Sequence, residues 1–473
     1  MTRPARPIRP RRPTPAARAC ALLTAVAVAA AAIPISKARA QARGQGGLPL
    51  IRDAEIEQLL RDYSQPILRA AGLTQQNVNI IIINSPNFNA FVMDGRRIFV
   101  NAGALMESQT PNQIIGVLAH EAGHIAGGHL SRLREQLAAA QTQAIIAMLL
   151  GVGAMAATAR SGNVGGNPGA AIVGTQDVIA RSLLAYQRAQ EEQADRAAVK
   201  FLTATGQSPR GMYETFKRFA DQSLFAARYV DPYLQSHPMA TERMAALEAL
   251  AKTSPYWAKK DPPELQLRHD MMRAKISGFM ERPDTVARRY PPSDTSLPAR
   301  YARAISTYRH GDLRAALVQI DGLIQTQPNN PYFYELKGQA LVEAGRAAEA
   351  IAPLRHAVRL APRPALIQVL LAQALIATNK PEAADEAVAL LRVALSREPD
   401  VPNGYTQLAM AYGRKGDLAQ ADLASAQAAA ARGDFKTARE LAARAKTRFA
   451  VGSPGWVKAD DIVSQRPTPL RPN

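Results

Sequence analysis

Residues 110–130 read TPNQIIGVLAHEAGHIAGGHL, and this stretch decides what the surrounding chain can be. Thr110, Pro111 and Gln113 have the form of a capping box with proline at the first helical position, so a helix is expected to begin there. Ile114, Val117, Leu118 and Ile125 give it an apolar face, and Gly127-Gly128 is read as its end. His120 and His124 are four residues apart, one above the other on such a helix, so both can turn a ring nitrogen toward one ion. Glu121, beside the first histidine, points to the side where a metal-held water would sit and is the candidate general base. Zinc suits these residues, one ion per chain, because it accepts imidazole and carboxylate ligands in a tetrahedron.

The third ligand decides the subclass. His129 falls one residue short of the position that the extension H-x-x-G-x-x-H requires, which is Leu130. It is therefore expected beside the ligands or on the surface, and the third ligand on a separate helix. Gln190-Glu191-Glu192-Gln193-Ala194-Asp195 supplies one: Glu191 and Asp195, four apart, share a helix face. Glu191 is expected to bind the metal and Asp195 to orient a histidine through its other ring nitrogen. Glu192, about 100° further round the helix, is the competing ligand.

Working outward, residues 53–71 carry Ile56, Leu59, Leu60, Tyr63, Ile67 and Leu68 near helical spacing. Two strand-like runs follow, 78–83 and 89–92. The second leads through Asp94-Gly95 into 97–100, a hairpin signal. Downstream of the motif, the apolar run 144–157 is shorter than the roughly 17–25 residues of a membrane span. It reads as a buried helix or lid, or as a surface in peripheral contact with membrane. A Gly/Asn-rich stretch, 161–169, comes next, and helical periodicity resumes around Val178.

Tyr290-Pro291-Pro292-Ser293-Asp294 reads as a linker. Beyond it, turn signals at Gly311, Gly345, Asn379 and Gly416 are spaced 34, 34 and 37 residues, and Pro328 and Pro362 are 34 apart. Such a period indicates helix pairs stacked as a solenoid. Leu336, Gly338, Ala340, Leu341, Gly345, Ala350, Ile351, Leu354, Ala357 and Pro362 resemble the tetratricopeptide pattern, and Gly433-Asp434 suggests a capping hairpin at the end.

The bulk numbers agree with a globular chain: 47% hydrophobic and 21% charged residues over 473 positions, enough for at least two folded units. Residues 1–40 have the three parts of an export signal: arginines up to Arg18, an apolar stretch from Ala19 to Ile35, and Ala38-Arg39-Ala40 as cleavage site. They hold eight basic residues and no acidic one, so the remainder carries +11 of the formal +19, read as colloidal charge. Nucleic acid is not the expected partner. The one cysteine, Cys20, lies in the signal, so beyond it disulfides, thiolate metal sites and a cysteine nucleophile are excluded. The expected order is signal peptide 1–40, zinc peptidase domain 41–290, linker 291–298, tetratricopeptide domain 299–450 and tail 451–473. The fold class is mainly α: an α+β zincin-like domain with a small β-sheet, then an α-solenoid.

His120 to His124 followed by Glu191-x-x-Ala194-Asp195 resembles the peptidase family that contains the integral-membrane CAAX prenyl proteases and the heat-shock protease HtpX. The signal-bearing form with a repeat tail is similar to that family's periplasmic members. The resemblance implies that His237, in His237-Pro238, is a regulatory fourth ligand or a transition-state contact, with Arg243 beside the ligands. It implies that Asn89, Ala90 and Phe91 belong to an edge strand that takes substrate by strand addition. It also implies misfolded or stalled outer-membrane proteins as substrates and the barrel-assembly machinery as the partner docked by the repeats. A chaperone or scaffold acting through the repeats, with proteolysis latent, is the competing class of function.

Overall fold

A computed structural model of the chain describes residues 49–138, 168–225 and 237–465, excluding the side chains of 168–183 and 222–225. The export signal, the apolar run 144–157 and nearly all of the stretch 161–169 lie outside the described residues.

The first helix, α1 (Ala54–Ala70), starts where Asp53 accepts the Ile56 N–H at 2.9 Å, and buries Ile56, Leu59, Leu60, Tyr63 and Ile67. Four strands form one sheet: β1 (Leu50–Ile51), β2 (Asn79–Ile83), β3 (Ala90–Asp94) and β4 (Arg97–Asn101), in the order β1-β2-β4-β3. β3 and β4 make the expected hairpin, with Ala90 opposite Val100 and an irregularity between Val92 and Asp94. β2 runs parallel to β4, with Ile80 opposite Ile98. β3 is therefore an edge strand of this sheet.

After α2 (Ala102–Glu107) comes α3 (Pro111–Ala126), the helix of the histidine motif. Its start is as expected but its cap is not. Thr110 makes no side-chain cap, and the Gln113 side chain accepts the Gln109 N–H at 2.6 Å in place of that of Thr110. An unpaired N–H of the first turn, Asn112, is met by Asp261 at 2.9 Å, 149 residues away. At the other end Gly127 is the C-cap and Gly128 takes φ +61°, a left-handed turn that ends the helix. Ile114, Val117, Leu118 and Ile125 are all buried, because α3 runs through the middle of the domain core.

Against it pack α4 (Pro168–Ala204) and α5 (Arg210–Phe225), and α6 (Thr241–Lys252) packs on those two. α4 begins at Pro168, ahead of Val178 and inside the end of the glycine-rich stretch, since a first helical turn tolerates proline. α7 (Pro263–Met280) and α8 (Pro283–Arg289) follow.

The repeats begin after the double proline, as α9 (Leu297–His310) with α10 (Leu313–Thr326), and α11 (Pro331–Glu343) with α12 (Ala347–Leu360). They continue as α13 (Ala365–Ala377) with α14 (Pro381–Arg397), and α15 (Pro402–Arg414) with α16 (Leu418–Ala431). α17 (Phe435–Arg448) and α18 (Pro454–Ser464) close the array. The slip of the period from 34 to 37 has a simple origin: α14 has 17 residues where α10 and α12 have 14.

The stack is seated on α7. Met271 shares a core with Tyr301, Ile305, Ile320 and Phe333, and Gly278 allows close approach, since a Cβ there would stand 2.9 Å from the Ala302 carbonyl oxygen. The described residues from Leu50 onward form one compact unit. Among the described residues no helix is long and apolar enough to cross a membrane.

Candidate metal centre

α3 and α4 cross where both carry small residues. A Cβ on Gly123 would stand 2.8 Å from the carbonyl oxygen of Ala194, so glycine between the two histidines lets the helices touch. That contact brings His120 and His124 face to face with Glu191 and Asp195, all four buried.

His120 Nε2 and His124 Nε2 lie 3.1 Å apart, and each is 3.4 Å from an oxygen of Glu191. His237, just ahead of α6, completes the group: its Nδ1 is 3.3 Å from His120 Nε2 and 3.0 Å from Glu191 Oε2. The four donor atoms lie within 4.8 Å of one another. In a tetrahedral zinc site with bonds of about 2.0–2.1 Å, ligand atoms are separated by about 3.3 Å, so the spacing present here fits that ion.

Charge balance points the same way. Glu121, Glu191 and Asp195 are three buried carboxylates, and the described cation inside the cluster is the guanidinium of Arg243. Acidic side chains outnumber that guanidinium, a composition that favours a cation held among them. Burial acts to lower the affinity of His120 for a proton, yet its hydrogen bonds to Asp195 and Glu191 outweigh this and raise its pKa to about 9. The same carboxylates would stabilise a metal cation. His124 is held well below its ordinary value, by burial first and then by His120, so it is the neutral imidazole that a metal requires.

Glu121 is fully buried, and its carboxyl is pushed up by burial. Neither of its oxygens has a hydrogen-bond partner among the described residues, although His237 Nε2 approaches Oε1 to 3.4 Å. A buried carboxylate in that state is costly unless something else is to be bound there.

Asp195 holds the far side of the first histidine, with Oδ1 2.9 Å from His120 Nδ1. Burial opposes its ionisation, but Arg243 brings its pKa down. Arg243 donates to both Asp195 oxygens and to the carbonyl of Pro238, and its Nη1 is 3.0 Å from Glu191 Oε2. The alternative ligand, Glu192, is exposed and paired with Arg196 at 3.5 Å. His129 is buried, against the surface alternative, with Nδ1 3.0 Å from Nδ1 of His124.

Asn89, Ala90 and Phe91 lie at the start of β3. The Asn89 carbonyl accepts the Asn101 N–H at 2.9 Å, Ala90 is buried, and Phe91 stacks on Phe99 at 5.3 Å. Sequence reasoning missed Phe216, whose ring stands edge-on to His120 at 5.1 Å and lies 5.5 Å from the Arg243 guanidinium. An aromatic at a core position of α5 gives no separate sequence signal.

Comparison with known proteins agrees with this geometry. The model for peptidase family M48 matches residues 51–251. The beta-barrel assembly-enhancing protease of Yersinia pestis is 24% identical over 429 residues, covering 88% of this chain and 84% of the relative. The protein of that name in Escherichia coli (strain K12) is 24% identical over 430 residues, 89% and 85% of the two chains. Metalloprotease LoiP of the same strain is 29% identical over 168 residues, 36% of this chain and 60% of its own. The family match takes in β2 to β4, both ligand helices and His237, and over residues 51–251 the chain is similar to peptidase family M48.

Proposed function

We propose that the chain is a zinc-dependent endopeptidase, exported to the periplasm by residues 1–40, that acts in quality control of outer-membrane proteins. The observation that carries this reading is the convergence of His120, His124, Glu191 and His237 beside a buried carboxylate, Glu121, that has no hydrogen bond among the described residues. The similarity to the beta-barrel assembly-enhancing proteases along most of both chains supports the substrate class, misfolded or stalled barrel proteins.

His120, His124 and Glu191 would hold the zinc. When bound, the ion lowers the pKa of a water and polarises a peptide carbonyl. Glu121 takes the proton from the attacking water and delivers it to the leaving nitrogen, a role suited to a carboxyl raised by burial. Asp195 fixes the tautomer of His120 by accepting from Nδ1, and Arg243 holds Asp195 ionised. His237 would supply a fourth donor and keep the enzyme latent until it withdraws to admit water and substrate. An extended substrate segment would pair with the free edge of β3 beside Asn89, Ala90 and Phe91. The stacked repeats would dock the barrel-assembly machinery, and the run 144–157 would touch the membrane peripherally.

Glu121→Gln in the full chain tests the reading. Zinc is expected to stay bound while peptide hydrolysis falls by about 10²–10⁴-fold and barrel quality control in cells is lost. Full function in cells with that variant would favour a scaffold acting through the repeats.

A further inference from the structure

His129 is spaced wrongly to bind the ion held by His120 and His124, and the fold explains where it goes instead. Gly127 and Gly128 end α3, and the left-handed Gly128 turns the chain back so that residue 129 returns toward the helix it has just left. Its ring stands edge-on to that of His124, with centroids 5.0 Å apart and planes at 85°. The two Nδ1 atoms are 3.0 Å apart. Nε2 of His124 faces the cluster, so His129 faces the opposite nitrogen.

Two bare nitrogens do not sit at that distance without a proton between them. If His124 offers Nε2 as a bare donor, its one proton is on Nδ1, and His129 Nδ1 must accept it. The proton of His129 is then on Nε2. The residue is also held from the neighbouring helix, where Gln190 donates to the His129 carbonyl at 3.2 Å. Gln190 belongs to α4, the helix that carries Glu191 and Asp195. Gly127 makes room for the ring, since a Cβ there would lie 2.2 Å from His129 Nε2.

We infer that His129 is a positioning residue for the metal. By accepting the hydrogen bond of His124 Nδ1–H, it sets the tautomer and tilt in which His124 presents Nε2, as Asp195 does for His120. Through the bond from Gln190 to its carbonyl it also ties that histidine to the helix of the third ligand. The inference rests on the reading of the cluster as a zinc site.

The test uses the full chain and zinc affinity measured by competition with a chelator. His129→Leu fills the space without an acceptor and is expected to weaken zinc binding by about 10–100-fold, with the thermal midpoint of the metal-free protein unchanged. His129→Gln returns an acceptor oxygen and is expected to recover most of the loss, which a purely space-filling role would not require. In the zinc-loaded parent, ¹⁵N-histidine NMR is expected to find the His129 proton on Nε2 and the His124 proton on Nδ1. His129→Leu with parental zinc affinity, or a His129 proton on Nδ1 in the loaded parent, would overturn the inference. The NMR result decides alone if the leucine variant does not fold. A parent that binds no zinc would instead bring down the metal reading itself.

Discussion

Arg243 meets Asp195 with two nitrogens at once, Nε on Oδ2 at 2.7 Å and Nη2 on Oδ1 at 2.9 Å. Both side chains are buried, and Nη1 touches Glu191 as well. Removing the guanidinium leaves two buried carboxylates uncompensated. Arg243→Ala is therefore expected to cost about 3–5 kcal/mol of folding stability in urea unfolding. Arg243→Lys should not restore it, since an ammonium cannot make the paired contact. A lysine variant with parental stability would contradict this.

The histidine motif, the hairpin and the helix repeat were legible because each is a local pattern with its own period. Glu191 over Glu192 was legible because helix geometry gives one of them a shared face with Asp195. What could not be read are partners joined only by folding. Asp261 caps α3 from 149 residues away, so the local box of Thr110 and Gln113 loses its function. The parallel pairing of β2 with β4 left no mark in either strand's composition. The sequence alone does not place His129, because its position depends on a single turn at Gly128, which takes it off the helical register.

His269 gives a pH prediction away from the metal. It is fully buried, with Nε2 donating to the Ser108 carbonyl at 2.9 Å and Nδ1 3.0 Å from the Tyr63 hydroxyl. Burial lowers its pKa from 6.5 to about 4. The unfolded chain then binds the proton more readily between those values, so this contribution is complete above about pH 6.5 and is lost as pH falls toward 4, up to about 3 kcal/mol. His269→Gln is expected to be less stable than the parent at pH 7.5, with the gap narrowing by pH 5. Parallel stability curves would contradict the assignment.

Lys275 joins the peptidase core to the repeats. Its ammonium, buried on α7, lies 2.8 Å from Asp53, 3.2 Å from Glu55 and 4.0 Å from Glu335 of α11. Glu55 also accepts from the Tyr301 hydroxyl of α9 at 3.0 Å. Burial pushes the Glu335 carboxyl up to about 8. Lys275→Met is expected to destabilise the chain by about 3–5 kcal/mol. The loss should be greater at pH 8.5 than at pH 6, where Glu335 can take a proton. A variant as stable as the parent at both pH values would mean that this cluster does not hold the two parts together.

Metal content and casein cleavage, measured side by side for the parent, Glu121→Gln and His237→Ala, decide whether the chain is a latent zinc peptidase. The expected result is one zinc per chain in the parent and in Glu121→Gln, weak cleavage by the parent, stronger cleavage by His237→Ala, and none by Glu121→Gln. A parent without zinc, or Glu121→Gln cleaving as fast as the parent, would contradict the account.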